Sequence, residues 1–209
     1  MAFEVRNKQL KTLEIVDSKK IRALAFYLPQ FYPTEYNDEW WGKGFTEWTN
    51  VTKATPRFKG HYQPHLPADL GFYDLRLIEN MELQAELATQ SNIYGFVFYH
   101  YWFSGKLILE KPLENILIQE RPNFPFCLCW ANQNWSRNWD GGFNKVLIEQ
   151  NYSFEDDIRH IHYLFKYFQD DRYIKIDGKP VFIVYRTELF PNISKTAELW
   201  RNESVKFGF

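Results

Sequence analysis

The chain has 209 residues, with 25 Lys and Arg against 26 Asp and Glu, for a formal net charge of -1. That balance gives no basic footprint for nucleic acid or an anionic membrane. With 45% hydrophobic and 24% charged residues the chain is not a disordered polymer, and no run of ~18 apolar residues offers a membrane span.

The first 20 residues alternate charges with isolated apolar side chains. They lack the apolar centre of a signal peptide and read as an N-terminal extension, 1–20, ahead of one domain over 21–209. A first strand is expected over 21–28 (IRALAFYL). A connection of about 45 residues follows, rich in Pro, Gly, Trp, Tyr and His; loops of that length are functional or disordered, and the aromatics argue for function. Asp74 is the expected N-cap of a helix over 75–89, whose Leu75, Ile78, Met81, Ala85 and Ala88 share one stripe. The second strand covers 93–102, and Pro112 starts a short helix to about Glu120. Strand three is 126–130 (FCLCW). Ser153 with Asp156 resembles a capping box ahead of Ile158, Ile161, Phe165 and Phe168. A hairpin at Asp177-Gly178 leads into strand four, 181–185. Asn192 or Ser194 caps the last helix, through Leu199 and Trp200. The strands are apolar on both faces, and the β-α alternation predicts an α/β fold with a parallel sheet.

Cys127 and Cys129 point to the same face of strand three, in poor geometry for a disulfide. Two free thiols fit a reducing compartment, so the expected location is cytoplasmic. No second Cys/His pair stands at metal-ligand spacing, and no metal or cofactor is expected.

The composition is unusual in its aromatics: 8 Trp, 13 Tyr and 19 Phe. Many flank Asn, Gln, His or carboxylates, and they gather where each strand ends: 27–32, 99–103, 130–135 and 185–188. Ligands of parallel sheets bind at the carboxyl ends of strands. Flat apolar faces with directed amide and imidazole hydrogen bonds match a sugar ring and its hydroxyl rim. No Gly-rich phosphate loop and no Asp-x-Asp pattern accompany them.

Glu47, beside Phe45 and Trp48, is a candidate acid or base, with a loop salt bridge as the alternative reading. Asp140 before Gly141-Gly142 reads as a turn, and Glu188 as a local partner of Arg186. His100 is either a core histidine or a ligand contact. His61 and His65 are separated by Pro64, which argues against a metal pair, and His160 and His162 read as surface or interface residues.

The blocks Ala25-Phe-Tyr-Leu-Pro-Gln-Phe31, Gly44-Phe-Thr-Glu-Trp-Thr-Asn-Val51, Gln63-Pro-His-Leu-Pro67, Gly95-Phe-Val-Phe-Tyr-His-Tyr-Trp102, Trp130-Ala-Asn-Gln-Asn-Trp135 and Asp177-Gly-Lys-Pro180 resemble the WbsX-type family. These are glycoside hydrolase family 99-like proteins of polysaccharide and lipopolysaccharide biosynthesis. The resemblance implies a (β/α)8 TIM-barrel-like fold, of which 21–209 would supply about the first four β/α units. It implies glycosyl transfer in O-antigen or capsule assembly, or else endo-α-mannosidase-like retaining hydrolysis. It places Tyr27, Gln30, Trp48, His65, Tyr99, His100, Trp102, Trp130, Asn132, Asn134 and Trp135 around an oligosaccharide or polysaccharide, with Glu47 catalytic. The family's later carboxylate block, Asn-x-Trp-Asn-Glu-Trp-like, does not occur in these 209 residues. Two carboxylates serve general acid–base glycosyl chemistry, so a non-catalytic carbohydrate-binding fragment is the remaining alternative. Open barrel edges would favour self-association.

Overall fold

The four apolar runs expected as strands do pair, side by side and in parallel. In the computed structural model, which describes residues 21–136 and 146–209, they are β1 (Leu24–Tyr27), β2 (Gly95–Phe103), β4 (Phe126–Trp130) and β9 (Phe182–Val184). The sheet order is β1-β2-β4-β9, with Leu24 beside Gly95, Val97 beside Cys127 and Cys129 beside Ile183. β4 is buried throughout and β2 nearly so, as a strand covered on both faces must be. β1 departs from that expectation: as an edge strand it leaves Leu24 and Phe26 exposed. At Gly95 a Cβ would come within 2.6 Å of the Pro125 carbonyl oxygen, so only glycine lets β2 start this close to the 121–126 segment.

One face of the sheet is packed by helices. Phe96, His100 and Trp102 of β2 and Trp130 of β4 make ring contacts there with Phe124, Tyr163, His160 and Trp200, and Phe98 of β2 meets Phe126 of β4 on the same face. α3 (Ile78–Gln90) buries Ile78, Met81, Ala85 and Ala88, the spacing of a single helical stripe. It begins later than expected. The Asp74 carboxylate accepts from the Arg76 N–H at 2.8 Å and turns the chain, so Leu77 is the N-cap. α4 (Lys111–Gln119) carries Pro112 in its first turn. α5 (Phe154–Phe168) starts where Ser153 accepts from the Asp156 N–H at 3.2 Å, and α6 (Ile193–Phe207) where Asn192 accepts from the Lys195 N–H at 3.0 Å. Thr196 and Trp200 of α6 hydrogen-bond to Asp157 of α5 at 2.7 and 3.0 Å.

The long connection after β1 is not a loop throughout. It holds two seven-residue helices, α1 (Glu35–Trp41) and α2 (Glu47–Lys53), each following a threonine. Helices this short contain too few turns to show a periodicity. Three small antiparallel additions complete the description. β3 (Lys106–Ile108) returns along β2, β5 (Trp135–Ser136) pairs β6 (Val146–Ile148), and β7 (Lys175–Ile176) pairs β8 (Lys179–Pro180). The last turns through Asp177 and Gly178, both with positive φ, as the expected hairpin requires.

Cys127 and Cys129 are free and buried, and burial pushes their thiols up to about 12 and about 11. They are inert at neutral pH. The expected N-terminal extension, 1–20, and Asp140 lie outside the described residues. Among the described residues, no helix is long and apolar enough to cross a membrane, and no three His, Cys, Asp or Glu side chains gather to hold a metal.

Candidate functional site

At the carboxyl ends of the four parallel strands lies a cleft of about 340 Å³. Each strand contributes. Leu28 and Gln30 follow β1, Tyr99 and Tyr101 end β2, Ala131 to Ser136 apart from Asn132 follow β4, and Tyr185 follows β9. The segment carrying α1 and α2 closes one side with Asn37, Trp41, Phe45, Glu47 and Asn50. The long connection is therefore a wall of the cleft.

The lining mixes rings with amides. Trp135 meets Tyr101 edge-on at 5.1 Å and Trp40 at 6.4 Å, while Tyr99 lies between Phe26 at 5.4 Å and Tyr185 at 6.1 Å. Gln30 donates its amide N–H to the Tyr101 hydroxyl at 2.6 Å. Among the described residues the Tyr101 O–H has no acceptor, so it can donate to a guest in the cleft. Asn134 spends its carbonyl oxygen on the Gln150 N–H at 2.7 Å. The Trp135 indole N–H is buried without a partner among the described residues. Burial raises the Glu47 carboxyl above its ordinary value, a direction that favours a proton-carrying carboxyl. Glu47 is the one carboxylate among the described lining residues.

Of the twelve residues expected at the site, five meet here: Gln30, Glu47, Tyr99, Asn134 and Trp135. The pleat of β2 explains why two neighbours do not. Successive side chains point to opposite faces, so Tyr99 and Tyr101 face the cleft while His100 and Trp102 enter the helix layer. There His100 contacts His160, and the Trp102 indole donates to Asp156 at 2.9 Å. His160, expected at the surface or an interface, is fully buried between α5 and the sheet. Trp130 is core, its indole donating to the Trp102 carbonyl at 3.1 Å. Tyr27 hydrogen-bonds Gln84 beneath α3. Trp48 donates to the Tyr73 carbonyl at 2.9 Å and pins the connection. His65 is exposed, against the edge of Tyr62. Asn132 is wholly buried and ties β4 to β9 through both backbone polar groups of Arg186. Glu188 pairs with Arg186 as expected.

Tyr101, Asn37, Trp41 and Asn50 were missed. Tyr101 was within reach, because period-two alternation from Tyr99 puts it on the same face. Asn37 and Trp41 sit on a helix without a sequence signal.

The sequence over 23–209 matches the family model described as Glycosyltransferase WbsX. The chain belongs to the WbsX glycosyltransferase family. This WbsX-family chain is also 46% identical over 192 residues to the WxcX proteins of two strains of Xanthomonas campestris pv. campestris. The match takes in 92% of the chain and 28% of each WxcX protein, so the chain spans under a third of those relatives' length. Among solved structures it is similar to a GH99 endo-alpha-mannosidase from Bacteroides thetaiotaomicron. That similarity has a TM-score of 0.49 and 15% identity, covering 80% of this chain and 42% of that one.

Proposed function

We propose that the cleft binds a saccharide and that the chain takes part in WbsX-type glycosyl transfer. The observation that carries this reading is the position of Glu47. It is a desolvated carboxyl in a cleft walled by tyrosines, tryptophans and amides at the carboxyl ends of four parallel strands. Stacked rings would hold the apolar faces of a sugar, and Gln30, Tyr101 and Asn134 would meet its hydroxyls. Glu47, its carboxyl raised above the ordinary value by burial, would act as the acid toward a glycosidic oxygen.

The proposal extends to architecture and setting. Four parallel strands whose spatial order follows the chain order, with no reversal, suit the first half of a (β/α)8 barrel. The acceptor would be a lipopolysaccharide, O-antigen or capsule glycan, the location cytoplasmic, and the edges of β1 and β9 would support self-association. Endo-α-mannosidase-like hydrolysis would be the same transfer with water in place of the glycan acceptor.

A second reading, saccharide binding without chemistry, is favoured by Glu47 being the one carboxylate among the described lining residues. Calorimetry with mannose-containing and O-antigen oligosaccharides separates the two. Binding lost in Trp135→Ala supports the saccharide site, and no binding by the unaltered chain removes it. Transfer or hydrolysis abolished by Glu47→Gln, with binding retained, assigns the chemistry to Glu47. Binding indifferent to Glu47→Gln and unaccompanied by turnover assigns binding alone.

A further inference from the structure

The near-zero charge of the whole chain conceals a local excess. Residues 53–69, running from the last residue of α2 toward α3, carry Lys53, Arg57 and Lys59 against one carboxylate, Asp69. All four are exposed, and none is in an ion pair among the described residues. Among the cations stand three large apolar side chains open to solvent: Phe58 at 68%, Tyr62 at 69% and Leu66 at 54% exposure.

These rings are held outward by local contacts. The His61 N–H donates to the Phe58 carbonyl at 3.1 Å, and the Arg57 N–H donates to His61 Nδ1 at 3.1 Å. The Phe58 ring lies flat on the His61 imidazole at 4.5 Å, and Tyr62 meets His65 edge-on at 4.8 Å. Pro56, Pro64 and Pro67 fix φ along the segment. None of Phe58, Tyr62 and Leu66 joins the hydrophobic core. The segment thus holds apolar groups in water, at a continuing cost in hydration, instead of folding them inward.

We propose that residues 53–69 form a docking surface for an anionic phospholipid bilayer. Aromatic and aliphatic side chains enter the headgroup boundary while lysine and arginine meet lipid phosphates, and neither contribution suffices alone. The cation excess supplies the charge complementarity, and the small net charge of the rest of the chain opposes it little. The position also couples docking to the cleft. Lys53 ends the helix that Glu47 begins, so the surface starts about 9 Å along that helix from the cleft wall. This inference stands apart from the saccharide reading, since it needs no occupant in the cleft.

The test is co-sedimentation of the 209-residue chain with vesicles of phosphatidylcholine alone and of phosphatidylcholine with phosphatidylglycerol. The expected result is binding to the anionic vesicles only, weakened by added salt. Two variants should each lower the partition coefficient about tenfold or more. One is Lys53→Glu with Arg57→Glu and Lys59→Glu, and the other is Phe58→Ser with Tyr62→Ser and Leu66→Ser. All six side chains are exposed, so the unfolding midpoint of each variant should match the parent and report an intact fold. No binding to anionic vesicles overturns the proposal. So does equal binding by the variants, and so does self-association through these residues without vesicle binding.

Discussion

His100 on β2 and His160 on α5 meet Nε2 to Nε2 at 2.9 Å, deep between the sheet and the helix layer. One proton serves both nitrogens, so one ring donates, the other accepts, and neither is charged. Trp102 lies parallel over His160 at 4.8 Å, and the His160 Nδ1 has no partner among the described residues. Burial lowers His100 to about 3, with Lys166 adding to the effect, and holds His160 well below its ordinary value.

Acid should therefore unfold the domain through this pair. In the unfolded chain both imidazoles take up protons near pH 6.5, whereas the folded chain excludes them down to about pH 3 for His100. Between those limits the unfolded state binds more protons, so stability rises with pH and is lost on acidification. Urea titrations at about pH 7 and about pH 5 should differ by roughly 2 kcal/mol from His100, with His160 adding in the same direction. In His160→Phe the pH-dependence should shrink. An unchanged slope would show that other groups govern the acid transition.

Asn132→Ala should destabilise the sheet. The side chain donates to the Arg186 carbonyl at 2.7 Å and accepts from the Arg186 N–H at 2.8 Å, and truncation leaves that N–H without this acceptor and the carbonyl with only the long 3.4 Å bond from the Leu189 N–H. A loss of about 2–3 kcal/mol is expected in chemical denaturation. Saccharide affinity should fall too, because Tyr185 of the cleft wall is the residue before Arg186.

Gly95→Ala tests the closest backbone approach. The added methyl would sit 2.6 Å from the Pro125 carbonyl oxygen and 3.0 Å from Ile174 Cδ1, and that carbonyl already accepts the Phe96 N–H at 2.9 Å. Relief requires the first residues of β2 to shift. A cost of about 1–3 kcal/mol, read as a lowered Tm, is expected.

Tyr101→Phe removes one hydroxyl from the cleft and leaves Gln30 without its acceptor. Folding stability should change by about 1 kcal/mol, while saccharide binding should weaken by about tenfold. The same loss of stability with unchanged saccharide affinity would show that the Gln30–Tyr101 bond serves the fold alone.

The strands were legible because continuous apolar runs have one explanation in a sheet covered on both sides. β4 matches its expected limits, and the helices after Ser153 and Asn192 begin at the residues whose side chains cap them. The cleft was legible only in part. Composition shows that polar aromatics cluster at strand ends, but the pleat sorts each cluster between two faces. The run 99–102 reads as one site and is divided, with Tyr99 and Tyr101 on one side and His100 and Trp102 on the other. Asn132 and Asn134 divide likewise, one into a backbone clamp and one into the cleft wall. Asn37 and Trp41 depend on a seven-residue helix whose placement comes from tertiary packing.

The strand order β1-β2-β4-β9 has a consequence for synthesis. Each strand pairs with the one made before it, so no strand must wait for a distant partner to leave the ribosome. Assembly can run in one direction, every new β/α unit docking on the growing edge of the last. The slow event in each round is closing the crossover, most costly for the segment of α1, α2 and α3 between β1 and β2. A ribosome pause after β2 would give that first pairing time to form before later strands compete for its edge.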